Sequence, residues 1–411
     1  MTAPLSGIRV VEIASFVAVP AAGALLADLG AEVVKVEVPG GETLRHALPR
    51  RLGYRHGMSE APHFHMDNRG KRSLALDLAR PAARAALRRV IARADVVLTN
   101  LLPRRLAKFG LDAATLRAAH PRLVFASLSG YGARGPDADT PAFDYTAYWA
   151  RSGLMDVMRD VGAGPAFLRP GVGDHAAALA LASGILAALR VRDRDGVGQE
   201  VDVDLLHTGL YVAGNDAAVV ASTDLDTPRH DPARPRNPLW SHYRTADARF
   251  LFLVMIDSQR YWPALCRALD FPELERDERF RDEVARYRNA EELVARIASV
   301  VGARDLAHWE RHLASFPLIW APVRTLREAM RDPQVAAMGM LADVALPDPD
   351  AAGLRTVAPP LQLSRHAMPG TAPAPALGAD GEAVLREAGC SDAEVEAALG
   401  PADGAQTPGS R

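Results

Sequence analysis

The sequence predicts an α/β protein, with a large domain built on a doubly wound parallel sheet and a smaller α/β domain after it. Three observations predict it: short apolar runs that read as buried strands, helical patterns between them so that strand and crossover helix alternate, and a proline-rich passage that sets off a second group of elements.

Taken in order, "IRVVEI" reads as a buried strand, "PAAGALLADLGA" as a helix opened by Pro20, and "EVVKVEV" as a second strand ending at Pro39, which together make a βαβ unit. "KRSLALDL" is then a strand, "PAARAALRRVIARA" a helix, "DVVLTN" a strand, "LDAATLRAAH" a helix and "RLVFASLSGYG" a strand running into a glycine loop. A helix after Asp174 leads through "DRDGVGQ" to the alternating strand "EVDVDLL", completing a large domain over 1–221. Residues 222–240, with Pro228, Pro232, Pro235 and Pro238 among charges, form a semi-rigid linker. "FLFLVMI", "SQRYWPALCRALD", "AEELVARIASVVG" and "DLAHWERHLASF" supply a smaller domain over 241–330. Residues 331–411 return to the large domain with a helix pair at "EAVLREAG" and "DAEVEAALG", and the tail "PADGAQTPGSR" is expected to be disordered.

The 411-residue, 44.0 kDa chain is long enough for two cores. A formal net charge of -2 provides no long-range field to draw in nucleic acid or an anionic membrane, so the expected partner is a small molecule. Cys266 and Cys390 make neither a disulfide framework nor a thiolate metal cluster. The start "MTAPLSGIRVVEI" lacks the basic-then-apolar pattern of a secretion signal. The longest uncharged apolar run, Ala176 to Leu189, falls short of the about 20 residues a bilayer span requires, and the expected location is the cytoplasm. The basic residues are nearly all arginine; the three lysines are Lys35, Lys71 and Lys108, a bias that GC-rich codon usage accounts for.

The first turn, "IASFVAVPAAG", sits where a dinucleotide fold carries G-x-G-x-x-G, yet has no glycine before Gly23, so its backbone cannot approach a pyrophosphate in the manner NAD needs. Glu37, at the end of the second strand, mimics only the acid that grips a ribose. G-x-x-x-x-G-K-[ST], G-x-S-x-G and H-E-x-x-H are absent, and His63 and His65 in "HFHMDNRGK" read as a solvated loop rather than a metal pair. No NAD and no metal are expected.

Asp174 stands between a glycine-rich turn and a run of alanines and leucines. One reading makes it the helix N-cap, accepting backbone N–H bonds worth about 1 kcal/mol. The other uses the same physics: exposed N–H groups and the positive end of the helix dipole lower its pKa and keep it ready as a nucleophile. Gly171 and Gly173 would let a bulky substrate approach the backbone, and Ala176, Ala177, Ala178 and Gly184 would let neighbouring elements pack closely. From the residues alone both readings stand.

"LADLGAEVVKVEVPGGETLR", "NRGKRSLALDL", "ADVVLTNLLPRRLAKFGLDAATLRAAHPRLVFASLSGYG", "GILAALRVRDRDGVGQEVDVDLL", "DPQVAAMGM" and "PALGADGEAVLREAG" resemble, in the same order, the family III CoA-transferases of the formyl-CoA and carnitine CoA-transferase group. The resemblance implies that family's fold, an interlocked homodimer, coenzyme A as acyl-CoA substrate, and Asp174 as the catalytic nucleophile. It further implies that Val17, Ala18, Leu76, Asn100 and Leu101 line the CoA site, that Lys108 contacts CoA through a phosphate, and that Phe143 and Asp144 lie in the loop approaching the thioester. Two departures stand out. The glycine-rich loop that closes over the intermediates in many members is replaced by "RPRNPLWSHYRTADARFLFL", whose aromatics are candidates for an acyl pocket or for core. The racemase branch of the superfamily has a histidine where "AFDY" has Phe143. An acyl-CoA racemase or isomerase and a silent acyl-CoA-binding paralogue are the alternatives to a transferase.

Overall fold

Six parallel strands carry the first part of the chain in a computed structural model that describes residues 2–46, 61–223, 225–345, 353–368 and 370–400. The tail expected to be disordered lies outside the described residues. The strands are β1 (Arg9–Ile13), β2 (Glu32–Glu37), β3 (Arg72–Ala75), β4 (Val96–Thr99), β5 (Val124–Ser129) and β6 (Glu200–Asp204), side by side in the order β3-β2-β1-β4-β5-β6. All their pairings are parallel; Val11 stands opposite Val34 on one side and Val97 on the other. That order reverses direction between β1 and β4, which opens a crevice at the carboxyl ends of those two strands.

The pleat sends alternate residues of β1 to opposite faces. Val11 and Ile13 enter one core with Leu74, Leu87, Ile91 and Phe125, covered by the helix Pro81–Ile91 and by the C-terminal helices Gly381–Glu387 and Asp392–Leu399. Glu12 points the other way, toward α1 (Ala18–Asp28), which starts two residues before Pro20 and lies along the long helix Val172–Asp195. The small residues of the long helix serve that packing: Ala177 and Ala178 are buried, and a Cβ on Gly184 would come within 2.6 Å of Val201. By length and composition this helix could cross a membrane; here its Leu181, Ile185 and Leu189 are buried inside the protein.

Between sheet and α1 lies a fully buried ion network. Glu12 accepts Lys35 Nζ at 3.1 Å and Lys71 Nζ at 2.7 Å, and Lys35 also meets Glu42 at 2.8 Å. Lys71 donates further to the carbonyls of Pro20 and Asp67 and to Asn68 Oδ1, so it ties α1 to the helix Pro62–Asn68. Burial pulls both ammonium groups down; at Lys35 the carboxylates of Glu12 and Glu42 outweigh it and raise the pKa, whereas Lys71 is held down at about 8. The "HFHMDN" segment is therefore helix rather than solvated loop, with His65 buried and its Nδ1 accepting the Ala374 N–H. No group of three or more metal-binding side chains occurs among the described residues.

The chain divides into two units. The first runs to Leu154, resumes at Phe167 and again at Pro333; the second is Met155–Ala166 with Leu225–Asp332, so 155–166, expected inside the first domain, joins the second unit. The second unit has an antiparallel sheet of β7 (Trp240–Arg244), β8 (Phe250–Val254) and β9 (Trp320–Pro322). Leu251, Leu253, Trp262, Leu293 and Trp309 fill its core. Of the "NPLWSHY" aromatics, Tyr243 is core and Trp240 is 50% exposed.

Gly23 of α1 lies against the network: a Cβ there would fall 2.1 Å from Glu12 Oε2 and 3.2 Å from Lys71 Nζ. Gly23→Ala should cost at least about 1–3 kcal/mol by overpacking and by displacing a buried charge. Urea denaturation would measure it; an unchanged midpoint would show that the network yields freely.

Candidate active site at the sheet switch point

The turn from β1 into α1 passes through Phe16 in the left-handed region, φ +66°, and the Phe16 N–H donates to Glu42 Oε2 at 2.7 Å. A side chain at that φ is strained, and the buried network supplies the acceptor that fixes it. Across the crevice, Asn100 Nδ2 donates to the Ser15 carbonyl at 2.7 Å and its Oδ1 accepts the Ser15 N–H at 3.2 Å. Thr99 Oγ1 donates to the Ile13 carbonyl at 2.8 Å and accepts the Leu101 N–H, which laces β4 to β1.

The loop after β5 brings Phe143 edge-on to Phe16, ring centres 5.3 Å apart, and a Cβ on Gly171 would lie 3.7 Å from the Val17 side chain. The structure thus gathers Val17, Ala18, Asn100, Leu101, Phe143, Asp144 and Asp174 around one rim. Leu76 belongs to the core beneath it, with its N–H donated to the Glu37 carbonyl, and Lys108 projects exposed from the helix Pro103–Phe109 that follows β4. Glu37, offered above as a ribose grip, is buried and taken up by Arg45, Ser73 and the Glu42 N–H.

The N-terminus of the long helix departs from both readings of Asp174. The helix begins at Val172 with Gly171 as N-cap, so Asp174 lies inside the first turn and makes no capping bond. The capping oxygen comes from Asp144, whose Oδ2 accepts the N–H of Gly171 at 3.0 Å and of Gly173 at 3.2 Å. Nor is Gly173 an opening for substrate: a Cβ there would lie 2.5 Å from the Tyr148 ring, so the close approach is made by the protein itself.

With the cap supplied by Asp144, Asp174 is left poorly compensated, and its pKa moves opposite to the expectation. Burial first, then the carboxylates of Asp144 and Asp67, push it up to about 7, against the pull of His175. Burial also raises Asp144 despite its backbone donors. His175 follows Asp174 directly; its Nδ1 lies 2.7 Å from the Gly171 carbonyl and its Nε2 3.0 Å from Asp67 Oδ1.

Sequence reasoning missed Asp67, His175, Phe16 and Glu42. One signal was present: two of the three lysines in an arginine-rich chain, Lys35 and Lys71, sit in the network that holds the rim.

Fold and site define a doubly wound α/β protein holding one poorly compensated carboxylate beside the switch-point crevice. The chain belongs to CoA-transferase family III, whose sequence model matches residues 5–381. It is 32% identical over 95% of both chains to the cinnamoyl-CoA:phenyllactate CoA-transferase of Clostridium sporogenes. It is 33% identical to the succinate–glutarate CoA-transferase of Agrobacterium fabrum, over 93% of this chain and 95% of that one. A crystal structure of a CaiB/BaiF family protein from Brucella suis superposes with a TM-score of 0.83 at 29% identity, covering 94% of this chain and 100% of that one. The protein is a CoA-transferase, acting on CoA thioesters.

The Asp174 shift has a sign that stability measurements can read. The carboxyl ionises near 3.8 when unfolded and near 7 when folded. Folding therefore loses stability as pH rises from about 4 to about 7, and the loss persists above that range. Asp174→Asn removes this titration. Its Tm should exceed that of the wild type by about 2 °C or more at pH 8 and match it near pH 4. A gap that does not change with pH would mark Asp174 as an ordinary solvated carboxylate.

Proposed function

We propose that this enzyme moves CoA from an acyl-CoA donor to a carboxylic acid acceptor, with Asp174 as the nucleophile. The observation that carries the reading is the state of Asp174: a carboxylate in the first turn of a helix, relieved of capping by Asp144 and destabilised by burial, at the rim where α/β folds bind ligands. Such a group gains by losing its charge to a covalent bond.

Asp174 attacks the thioester carbonyl, the C–S bond breaks, and a mixed anhydride and CoA thiolate form. The thiolate attacks the aspartyl carbonyl, expelling the donor acid and leaving an aspartyl-CoA thioester. The acceptor carboxylate attacks that thioester to give a second anhydride, and the returning thiolate takes the acceptor acyl group and frees Asp174. One thioester is consumed and one is formed over the cycle, with the acyl activation carried by the anhydrides in between, so the exchange needs neither ATP nor a metal. The exposed Lys108 supplies a point charge for a CoA phosphate.

NAD is not part of this reading. The amide at the entry to α1, where a dinucleotide would place its pyrophosphate, is occupied by the Glu42 carboxylate. Racemisation needs a base on one side of the α-carbon and a separate acid on the other, and at the position where the racemase branch carries a histidine stands Phe143, 57% exposed, which can serve as neither. A cytoplasmic homodimer completes the proposal. The helices Leu205–Val212 and Gly214–Thr223 expose Tyr211 (81%), Val212 and Val219, an apolar face suited to a second copy.

Acyl-CoA donors screened against carboxylic acid acceptors, with products identified by mass, supply the assay. In Asp174→Asn turnover should collapse, by 10³-fold or more on the order of other nucleophile losses, while CoA affinity persists. Hydroxylamine with donor should convert wild-type Asp174 to a hydroxamate. Lys108→Ala should show the converse, weaker CoA binding with kcat retained. Full turnover in a wild-type-free Asp174→Asn preparation would sink the nucleophile assignment. Light scattering should return twice the 44.0 kDa chain mass; a monomeric mass overturns the dimer.

A further inference from the structure

The mechanism above leaves one polar pair unused. His175 has an acceptor at each ring nitrogen: the Gly171 carbonyl 2.7 Å from Nδ1 and the Asp67 carboxylate 3.0 Å from Nε2. A neutral imidazole has one N–H and satisfies only one of these; two N–H groups, and so a positive charge, satisfy both. The residue that carries the anion is itself fixed in place. The Asp67 side chain is only 4% exposed, and Lys71 donates to its backbone carbonyl at 2.9 Å.

Resting on the assignment of Asp174 as nucleophile, we propose that His175 and Asp67 form a positioning pair for it. His175, fixed as an imidazolium between Gly171 and Asp67, is the cation next along the chain from Asp174 and holds it in the anionic, reactive form.

The surroundings show why a cation matters here. The loop after β5 brings Asp144, the helix Tyr145–Arg151 brings Tyr148, and the helix Pro62–Asn68 brings Asp67. The titratable residue of α1, Asp28, is spent on Arg69, and Asp204 of β6 caps the next helix. The ammonium of Lys71 is engaged with Glu12. Anions therefore surround Asp174, and His175 offsets them. The hydrogen bond that His175 donates to Asp67 raises the pKa of His175 above its ordinary value, in the direction a doubly protonated ring requires.

Two readouts need no substrate. In full-length protein labelled with ¹⁵N-histidine, both ring nitrogens of His175 should be protonated at pH 7. In Asp67→Asn the ring should titrate near the ordinary value of about 6.5. In ¹³C-aspartate-labelled His175→Gln, which keeps a donor toward Asp67 but no charge, the Asp174 midpoint should rise by roughly 1–3 pH units. The acid limb of kcat should move with it, so that activity returns at high pH.

A neutral His175 at pH 7 in the wild type, or an Asp174 midpoint unmoved in His175→Gln, overturns the proposal. So does a loss of kcat in His175→Gln that is equal at every pH, which is the mark of a packing role. If Asp67→Asn or His175→Gln fails to fold, the wild-type nitrogen state still decides. Asp174→Asn keeps the two assignments apart: an inactive Asp174→Asn with a neutral His175 leaves the nucleophile and removes the pair. An active one removes the nucleophile whatever the charge on His175.

Discussion

The contact of Glu12 with Lys35 and Lys71 fixes more of this protein than any other single interaction. Three charges with no water around them are costly to bury, and a hydrophobic trio of the same volume would often be at least as stable. What the arrangement supplies is position. Lys35 reaches Glu42, which accepts the Phe16 N–H and pins the strained turn at the end of β1. Lys71 reaches the Asp67 carbonyl and so sets the helix that carries Asp67 toward His175. Removing one partner of such a set typically costs about 3–5 kcal/mol, because the others are left charged and unpaired. Both walls of the crevice therefore hang from one carboxylate on the central strand.

The second constraint is a division of labour between two aspartates at one helix end. A helix N-terminus stabilises whichever carboxylate accepts its amides. Asp144, arriving from a distant loop, takes the amides of Gly171 and Gly173, and Asp174, within the helix, receives none of its side-chain bonds from them. Tyr148 packs over Gly173 at the same end. A carboxylate so treated is in a poor state to stay charged and in a good one to react.

Much of this was legible in the sequence, and the reasons differ by element. The β1–α1–β2 unit and the later strands could be read because apolar runs and crossover helices have distinct periods, and right-handed crossovers leave few ways to order the strands. Asp174 was legible because it is the lone acid at the mouth of a small-sided helix. Its capping role was misjudged: the competitor for the amides, Asp144, lies 30 residues earlier and enters only through folding. The direction of its pKa shift followed from the same error. The Asp67–His175 contact joins residues 108 apart, which no local spacing announces. Glu12, one acid inside "IRVVEI", gave no sign that two lysines from β2 and the entry to β3 would neutralise it.

The burial of Lys35 and Lys71 also bears on the chemistry of side reactions. Thioesters acylate free amines, and an enzyme that handles them exposes its own lysines to that reaction. Guanidinium groups stay protonated and do not take part. With 48 basic residues of which only three are lysines, and with two of those three sealed in the interior, the side chain of Lys108 is the one such amine left on the surface. Non-enzymatic acylation of lysine is thereby confined to a single position, and an amine-directed label would mark the protein there.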